Sequence, residues 1–475
     1  MFRNVCMTMC ILMFIAGCSV HLRQPVEPPQ PVPESFVEEE GVAFTNYHIG
    51  KWWEQFKDAK LNALMEEALQ NNLDITVAFA RLEQLQAVAR TTSAAQKPFL
   101  DVEGEIKRES SPSFLGDYTG NSYQVSLLAG YEVDLWEKYK SQTKAAALET
   151  EATYEDIKAL YMNLSAQLVE LYYLAVEQRA QLSLTDSTIV SFEEALERVE
   201  LRYRQGLAPA LDVYQAQQNL ARARAGRPVF EANLAVTEHE IATLLGRYPD
   251  RETAGDLAII PEIPDAFPAG IPSAMLTRRP DIEAAILRVK ASDERIATAI
   301  ADRFPSFNLI GSYGKSSMAF VTGDIVGVFW NAILNVAQPI FDGGRRSAEV
   351  ERTRAVFKEN LAMYHSAVLT AFQEVEDALA RNRTSEEHIV LLNHQRESSS
   401  NALRVSTFRY MEGLSDYLPV LAAQQSLYES ESAILAARRQ LISDRVQLAR
   451  ALGGEWMDEY IDERFIADNE KEKKI

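Results

Sequence analysis

The sequence predicts a mainly α-helical chain with a smaller β component, built as two copies of one strand-and-long-helix unit. Three observations lead to this prediction. Matching residues recur at a constant offset of 207 positions, the separation of Asp74 and Asp281. Each copy contains segments in which apolar and polar residues alternate strictly. Each copy also contains a long window with neither proline nor glycine, the residues that interrupt helices.

The N-terminus has the features of an exported protein. Arg3 precedes a short apolar stretch that ends in Ile15-Ala16-Gly17-Cys18. This stretch is too short for a spanning helix and is typical of a signal peptide over residues 1–17. Its end resembles the lipobox of bacterial lipoproteins, in which the cysteine receives lipid. We therefore expect Cys18 to be lipidated, the alternative being an ordinary signal peptide with a chance cysteine. Among such lipoproteins, a residue other than aspartate after the cysteine, here Ser19, implies sorting to the outer membrane.

The segment that follows, residues 18–45, is expected to be a lipidated N-terminus and an extended tether. Five of the ten residues from Gln24 to Pro33 are prolines, which prevents both helix and central strand. Because Cys6 and Cys10 leave with the signal, the mature chain has one cysteine and no disulfide framework.

Composition excludes some classes of function. The net charge of −20 argues against binding of nucleic acid, whose phosphates require a basic surface. After the signal, the chain lacks the run of about 18 apolar residues that forms a transmembrane helix. If the protein crosses a membrane, we therefore expect it to do so as a closed barrel.

The repeat defines the predicted domains. A first copy covers residues 46–255, a linker residues 256–271, a second copy residues 272–456, and a charged tail residues 457–475. The matches at the common offset include Arg81 with Arg288, Pro98 with Pro305, Gly104 with Gly311, Arg202-Tyr203 with Arg409-Tyr410, Gly206-Leu207 with Gly413-Leu414, and Leu245-Gly246 with Leu452-Gly453. The alternative is coincidence among helices rich in Ala, Leu and Gln, but the Gly, Pro, Asp and Tyr matches argue against it.

Each copy is predicted to begin with a helix, over residues 61–95 and 282–302, followed by two strands. In the first strand, Leu100, Val102, Gly104 and Ile106 alternate with Asp101, Glu103, Glu105 and Lys107, which gives one apolar and one charged face. The later strands alternate in the same way through Val125, Leu127, Ala129 and Tyr131, then Phe307, Leu309, Gly311 and Tyr313, then Val326, Val328, Trp330, Ala332 and Leu334. A soluble sheet with one buried face is the alternative interpretation.

Very long helices are predicted next, over residues 135–205 and 345–412. About 65 helical residues span roughly 100 Å, and helices of this length normally form coiled coils. Apolar residues from Leu182 to Tyr203 recur at steps of three, four or seven, the heptad period. The chain turns at Gly206 and Gly413 into return helices, of which the first covers residues 211–245. Gly226 and Pro228 in that helix predict a kink or a local break.

Four strands per chain cannot close a wide barrel, and open strand edges are not tolerated in lipid. The apolar-outward and charged-inward alternation matches a membrane barrel with a wet lumen. We therefore expect several chains to contribute four strands each to one barrel, which the long helices continue as a tube.

The chain resembles the outer-membrane factor family of tripartite efflux systems, the TolC-like group, and in particular its lipoprotein branch of OprM- and NodT-type proteins. The residues that carry the resemblance are residues 279–285 (RPDIEAA), 304–305 (FP), 338–345 (QPIFDGGR), 372–379 (FQEVEDAL), Arg409-Tyr410 with Gly413, and 451–456 (ALGGEW). The resemblance covers about residues 46–456. It implies a homotrimer with a twelve-stranded outer-membrane β-barrel, continued by a periplasmic α-helical coiled-coil barrel.

The resemblance further implies a passive exit duct without chemistry or cofactors. Such a duct receives its cargo from an inner-membrane pump, indirectly, through a periplasmic adaptor protein. Residues at the two helix turns match the periplasmic tips that dock on the adaptor: Gly206, Leu207, Gly413 and Leu414. The same tips close the tunnel, and the candidate gate residues are Asp212, Arg409, Tyr410, Asp416 and Leu418.

This sequence departs from the family at one gate position. Members often carry an aspartate on the inner face just after the second turn, where Pro419 and Ala422 stand here. Asp416 is the expected substitute, and Leu418 matches an apolar constriction residue. The alternative for Asp212 and Asp416 is a helix cap, because both follow a turn.

Two other classes of function are weaker. An enzyme is disfavoured because the six histidines are scattered and show no metal-binding spacing, and because Asp342-Gly343-Gly344-Arg345 lacks the lysine of a phosphate-binding loop. A structural coiled-coil lipoprotein that tethers the outer membrane explains the lipid and the helices. It does not explain alternating strands that are repeated at a fixed offset.

Overall fold

The computed structural model describes residues 20–38, 50–111, 118–251, 253–267, 272–320, 323–462 and 464. The predicted signal peptide, Cys18 and most of the predicted charged tail lie outside these residues. Within the described ranges, no helix combines the length and the apolar composition that crossing a membrane requires.

After a short 3-10 helix at Trp52–Phe56, the elements follow one another in the same order in the two copies. The first copy contains α1 (Ala59–Asn71), α2 (Leu73–Ala94), β1 (Phe99–Ser111), β2 (Tyr118–Glu132), α3 (Lys138–Arg204) and α4 (Ala210–Leu244). The second contains α5 (Pro272–Arg278), α6 (Pro280–Ala301), β3 (Ser306–Phe320), β4 (Gly323–Ala337), α7 (Arg345–Met411) and α8 (Leu418–Leu452).

The internal duplication predicted from the sequence is confirmed by these elements. Helices α3 and α7 have 67 residues each, and α4 and α8 have 35 each. The chain divides into two compact units. The sheet unit takes its described residues from 20–29, 80–154 and 283–366, and the helical unit takes its residues from 30–79, 155–282 and 367–464.

The four strands form one antiparallel sheet in the order β1-β2-β3-β4. The register pairs Val102 with Leu127, Leu127 with Tyr313, and Tyr313 with Trp330, so the apolar residues of all four strands share one face, here called the apolar face. These side chains are exposed in a single chain. The opposite face is charged along β1 but carries Ile310 and Ile333 in the second copy, so it is less polar there than the alternation of β1 indicated.

The single first helix predicted over residues 61–95 is wrong, because the structure has two helices that meet at Asn72. The backbone of Asn72 is extended, and its side-chain oxygen accepts hydrogen bonds from the backbone N–H of Asp74 and Ile75 at 2.8 and 3.2 Å. Its Nδ2 also donates to the carbonyl oxygen of Leu244 at 2.9 Å. The side chain therefore caps α2 and fixes the break against the end of α4.

The second copy repeats this junction with a different residue. Arg279 stands at the position equivalent to Asn72, and its Nη1 donates to the carbonyl oxygen of Ala451 at 3.2 Å, the equivalent of the Leu244 carbonyl. Gly453, like Gly246, has a positive φ. A Cβ at Gly453 would lie 2.6 Å from the carbonyl oxygen of Arg278. Only glycine therefore allows the helix end to approach the junction so closely.

Helix α4 continues through Gly226 and Pro228 without a local break. Proline removes one N–H donor from the ladder, and the 35-residue helix tolerates that loss at the exposed Pro228.

The segment at residues 20–38 has no helix or strand, as its prolines require, but several of its side chains contact other parts of the chain. In the sheet unit, His21 and Arg23 contact the buried carboxylates of Asp293 and Glu294 at 2.7 and 2.5 Å. In the helical unit, the ring of Phe36 is 2% exposed and lies 6.1 Å from the ring of Phe372. The extended tether predicted for residues 18–45 therefore makes specific side-chain contacts at residues 21, 23 and 36.

The junction predicts opposite effects for two glycine substitutions. Gly453→Ala is expected to lower the free energy of unfolding by about 1–3 kcal/mol, because its positive φ and the close carbonyl both oppose a Cβ. Gly226→Ala is the matched control, because a Cβ there meets nothing within 4 Å and alanine favours the helix by up to about 1 kcal/mol. Thermal unfolding followed by circular dichroism measures both, and equal effects would contradict this account of the junction.

Candidate functional site

The two helix turns, one in each copy, share one backbone geometry. Gly206 and Gly413 have φ values of 75° and 71°. The N–H of Leu207 donates to the carbonyl of Arg202 at 2.8 Å, and that of Leu414 donates to the carbonyl of Arg409 at 2.8 Å. This is the Schellman motif, in which a glycine in the left-handed region ends the helix. The Gly-Leu pair in the sequence therefore marks the point at which each long helix ends and the chain reverses direction.

Apolar side chains are exposed at both turns. Leu207 is 61% and Leu414 is 63% exposed, and the neighbouring Leu211, Phe408 and Leu418 are also exposed. Clustered exposed apolar residues are unusual on a monomeric protein and mark a surface for another molecule.

The structure brings Asp212 and Tyr410 together, two of the residues predicted to form the gate. Asp212 lies in the first turn of α4 and Tyr410 in the last turn of α7, and both are buried. The hydroxyl of Tyr410 donates to Oδ2 of Asp212 at 3.2 Å. The bond therefore joins α4, the return helix of the first copy, to α7, the long helix of the second.

Arg202 completes this arrangement, and the three residues Arg202, Asp212 and Tyr410 are here called the tip triad. The guanidinium of Arg202 lies 4.9 Å from the centre of the Tyr410 ring, within the range of a cation–π interaction. Its Nη1 donates to the carbonyl oxygen of Met411 at 2.8 Å. The ring of Tyr417 covers Tyr410 at 5.1 Å, in an apolar cluster with Val199, Ala216 and Val420.

Burial changes the acid–base properties of the triad. Desolvation raises the pKa of Asp212, and the negative charge of Asp416 raises it further, while the hydrogen bond from Tyr410 opposes the rise. Desolvation and the adjacent Asp212 also raise the pKa of Tyr410 to about 12. Tyr410 is therefore a neutral hydrogen-bond donor at physiological pH.

The other predicted gate residues lie outside the triad. Arg409, Asp416 and Leu418 are exposed in the single chain. Sequence reasoning did not select Arg202 as a gate residue, although the match of Arg202-Tyr203 with Arg409-Tyr410 marks it as the equivalent of a selected one. The matching positions differ: Tyr203 is 48% exposed where Tyr410 is buried.

The described part of the chain contains no group of three or more His, Cys, Asp or Glu side chains that could hold a metal ion. The arrangement at the tips consists of apolar packing, hydrogen bonds and a cation–π contact between helix ends.

An exposed apolar sheet joined to duplicated pairs of long and return helices defines a class of outer-membrane efflux channels. The family model described as outer membrane efflux protein matches residues 64–247 and 271–454, and the chain belongs to this family. The two matched segments begin 207 residues apart, the same offset as the internal repeat.

Named relatives agree with this class. The chain is 29% identical over 461 residues to the solvent efflux pump outer membrane protein SrpC of Pseudomonas putida, which covers 94% of this chain and 97% of SrpC. It is 32% identical over 423 residues to the outer membrane protein OprJ of Pseudomonas aeruginosa, covering 85% of this chain and 86% of OprJ.

Solved structures show the same fold. The outer-membrane channel OprN superposes with a TM-score of 0.85 at 28% identity, covering 92% of this chain and 100% of OprN. The open state of the Neisseria gonorrhoeae MtrE outer membrane channel gives a TM-score of 0.78 at 26% identity, covering 92% and 99%. The predicted family, fold class and efflux function are confirmed, and the structural tether is disfavoured. This chain is an efflux channel of the outer membrane.

The tip triad predicts a local difference between two equivalent tyrosines. Tyr410→Phe removes the hydroxyl that binds Asp212, at a cost of about 1–2 kcal/mol in local stability. We expect amide hydrogen exchange at residues 202–212 and 405–417 to accelerate by about five- to thirtyfold. Tyr203→Phe, at the exposed equivalent position, is the control and should leave exchange unchanged. The same acceleration in both variants would show that the hydroxyl of Tyr410 has no special role.

Proposed function

We propose that this outer-membrane channel is the passive exit duct of a tripartite efflux system and works as a homotrimer. The observation that carries the proposal is the four-stranded sheet, whose apolar face is exposed and whose edge strands β1 and β4 each have one neighbour among the described strands. In lipid, such edges require pairing with further strands. Three chains supply twelve strands for a closed barrel, and the helices of both copies then continue it as a periplasmic tunnel.

The proposed partners follow from the tips and from the N-terminus. The exposed Leu207 and Leu414 beside the two helix turns give an apolar surface on which a periplasmic adaptor docks, and the adaptor links the duct to an inner-membrane pump. Lipid attached to Cys18 anchors each chain in the outer membrane, with its helices in the periplasm. In this proposal the protein needs no cofactor and performs no catalysis.

The tip triad is proposed to hold the periplasmic end of the tunnel closed. It connects helix ends of different copies, so separating them breaks the Tyr410–Asp212 hydrogen bond and the contact of Arg202 with Tyr410. Arg409, Asp416 and Leu418 are exposed in one chain and so are available to face the lumen or a neighbouring chain in the trimer.

The trimer and its anchor can be tested together on the membrane-extracted protein. Light scattering in mild detergent should give a protein mass close to three chains of the mature sequence, and boiling should convert the trimer to monomer. Deleting the protein should sensitise cells to exported toxic compounds. A monomer that leaves the membrane once its acyl chains are removed would contradict the duct and favour a tether.

Conductance in planar bilayers tests the gate. Tyr410→Phe should raise the open probability of the channel by about fivefold per broken contact, corresponding to about 1 kcal/mol for a buried hydrogen bond. Tyr203→Phe again serves as the control, because its ring is exposed and outside the triad. A channel that stays tightly closed in both variants would remove Tyr410 from the gate.

The raised pKa of Asp212 gives the gate a pH dependence of defined sign. A buried carboxyl with a raised pKa binds its proton more tightly in the closed tip than when opening exposes it to water. Acidification to just above the usual aspartate range, about pH 4–5, should therefore favour the closed state and lower the open probability. Asp212→Asn, which mimics the protonated form, should abolish this dependence; an unchanged pH profile in this variant would assign the titration to another group.

A further inference from the structure

The apolar face of the sheet contains a groove of about 480 Å³ near the hairpin end of the strands. Residues from all four strands line it on the apolar face: Gly104, Ile106, Tyr123, Val125, Lys315, Ser317 and Val326. Glu105, Gln124 and Ser316 also border it, and the register places these three on the opposite face. The groove passes over Gly104, where a Cβ would meet nothing within 4 Å. The groove extends across the sheet from β1 to β4, and most of its side chains on the apolar face are apolar.

A cation lies in this groove. Lys315 pairs with Val125 on one side and with Val328 on the other, so it shares the apolar face, and it is exposed. Arg108, also exposed, belongs to the same face of β1 in the hairpin half of the strand. A lysine on the lipid-facing side of a barrel costs about 2–4 kcal/mol at the bilayer midplane but about 0–1 kcal/mol near an interface. The free-energy cost of Lys315 therefore depends on its position along the strand.

Taking the start of β3 as the periplasmic edge of the bilayer, the strand geometry places Lys315 near the opposite interface. Nine residues separate it from Ser306, where β3 begins, and nine residues of strand span about 30 Å. With a tilt of about 35–45°, this corresponds to a height of about 21–25 Å, close to the thickness of about 25 Å of the apolar band of an outer-membrane barrel. Lys315 thus lies at headgroup level, with the apolar groove beside it.

We propose that this groove is a binding site for an anionic phospholipid of the outer leaflet. One acyl chain occupies the groove over Gly104, and the lipid phosphate pairs with the ammonium of Lys315. Charge complementarity selects this occupant, because an apolar groove alone would accept the chain of any lipid, whereas the cation at headgroup level distinguishes a phosphate monoester from a zwitterionic headgroup. The assignment of the hairpin end to the outer leaflet rests on the proposed function, in which the helices are periplasmic.

Trp330 supplies a local probe for this site. It is 76% exposed on the apolar face and lies two residues from Val328, the partner of Lys315. The trimer is reconstituted in phosphatidylcholine vesicles that contain brominated phosphatidic acid or brominated phosphatidylcholine at equal mole fraction, and quenching of tryptophan fluorescence is measured. Trp330→Phe identifies the part of the signal that comes from this residue.

The expected result is a preference for brominated phosphatidic acid of about threefold, the size expected of one partly exposed ion pair. Lys315→Gln and Gly104→Leu should each reduce the preference toward one, the first by removing the charge and the second by filling the groove without a clash. Gly327→Leu is the matched control, because its Cβ also meets nothing within 4 Å and it lies on the opposite face. That variant should keep the wild-type preference.

No preference in the wild-type protein, or a preference that Gly104→Leu leaves intact, would overturn the proposal. Conductance of the same vesicles, fused to planar bilayers, separates this outcome from failure of the proposed duct. Groove variants should conduct as the wild type does, whereas a protein that forms no channel would refute the duct while the lipid preference remained measurable.

Discussion

Hydrogen bonding of the strand edges is the constraint on which the rest of this structure depends. Among the described strands, β1 pairs with β2 and β4 pairs with β3, so each edge strand leaves a row of backbone groups without a partner in its own chain. Water could satisfy such groups, but lipid cannot. The exposed apolar face of the same sheet is unfavourable in water, because it would remain in contact with solvent. Edge and face together require a membrane and further strands. Each pair of strands leads directly into one long helix, so the association of chains that pairs the strand edges also brings their long helices together.

The duplicated junctions show how one architecture is maintained with different chemistry. An asparagine in the first copy and an arginine in the second, Asn72 and Arg279, donate to carbonyl groups at equivalent helix ends. At the tips the two copies differ in residue type and in their contacts. Asp212 in the first copy binds Tyr410 in the second, whereas Pro419 stands at the position equivalent to Asp212 and Tyr203 is exposed. The copies are thus equivalent where they build the scaffold and different where they hold helix ends together.

Periodicity and repetition predicted most of the fold, because strands and long helices record their environment in every second or every third to fourth residue. The break at Asn72 was missed because asparagine is tolerated in helices, and the bond that fixes the break joins residues 172 positions apart. The return helix over residues 211–245 was predicted, but a local break at Pro228 does not occur, because one proline removes a single hydrogen bond from a long helix. The positions of Asp212 and Tyr410 were predictable from the turns. Their contact, and the part of Arg202 in it, depends on the pairing of α4 with α7, which no local pattern specifies.

The equal length of α3 and α7 has a consequence for how such a chain can change. One inserted residue turns the following part of a helix by about 100° and advances it by 1.5 Å, so side chains that faced the neighbouring helix would face elsewhere. An insertion in one copy would also displace its tip relative to the other and separate Asp212 from Tyr410. Insertions and deletions in the long helices are therefore tolerable only in matched pairs that preserve the heptad phase. Length variation should concentrate in the strand hairpins, the linker and the chain ends, where neither helix phase nor tip level is affected.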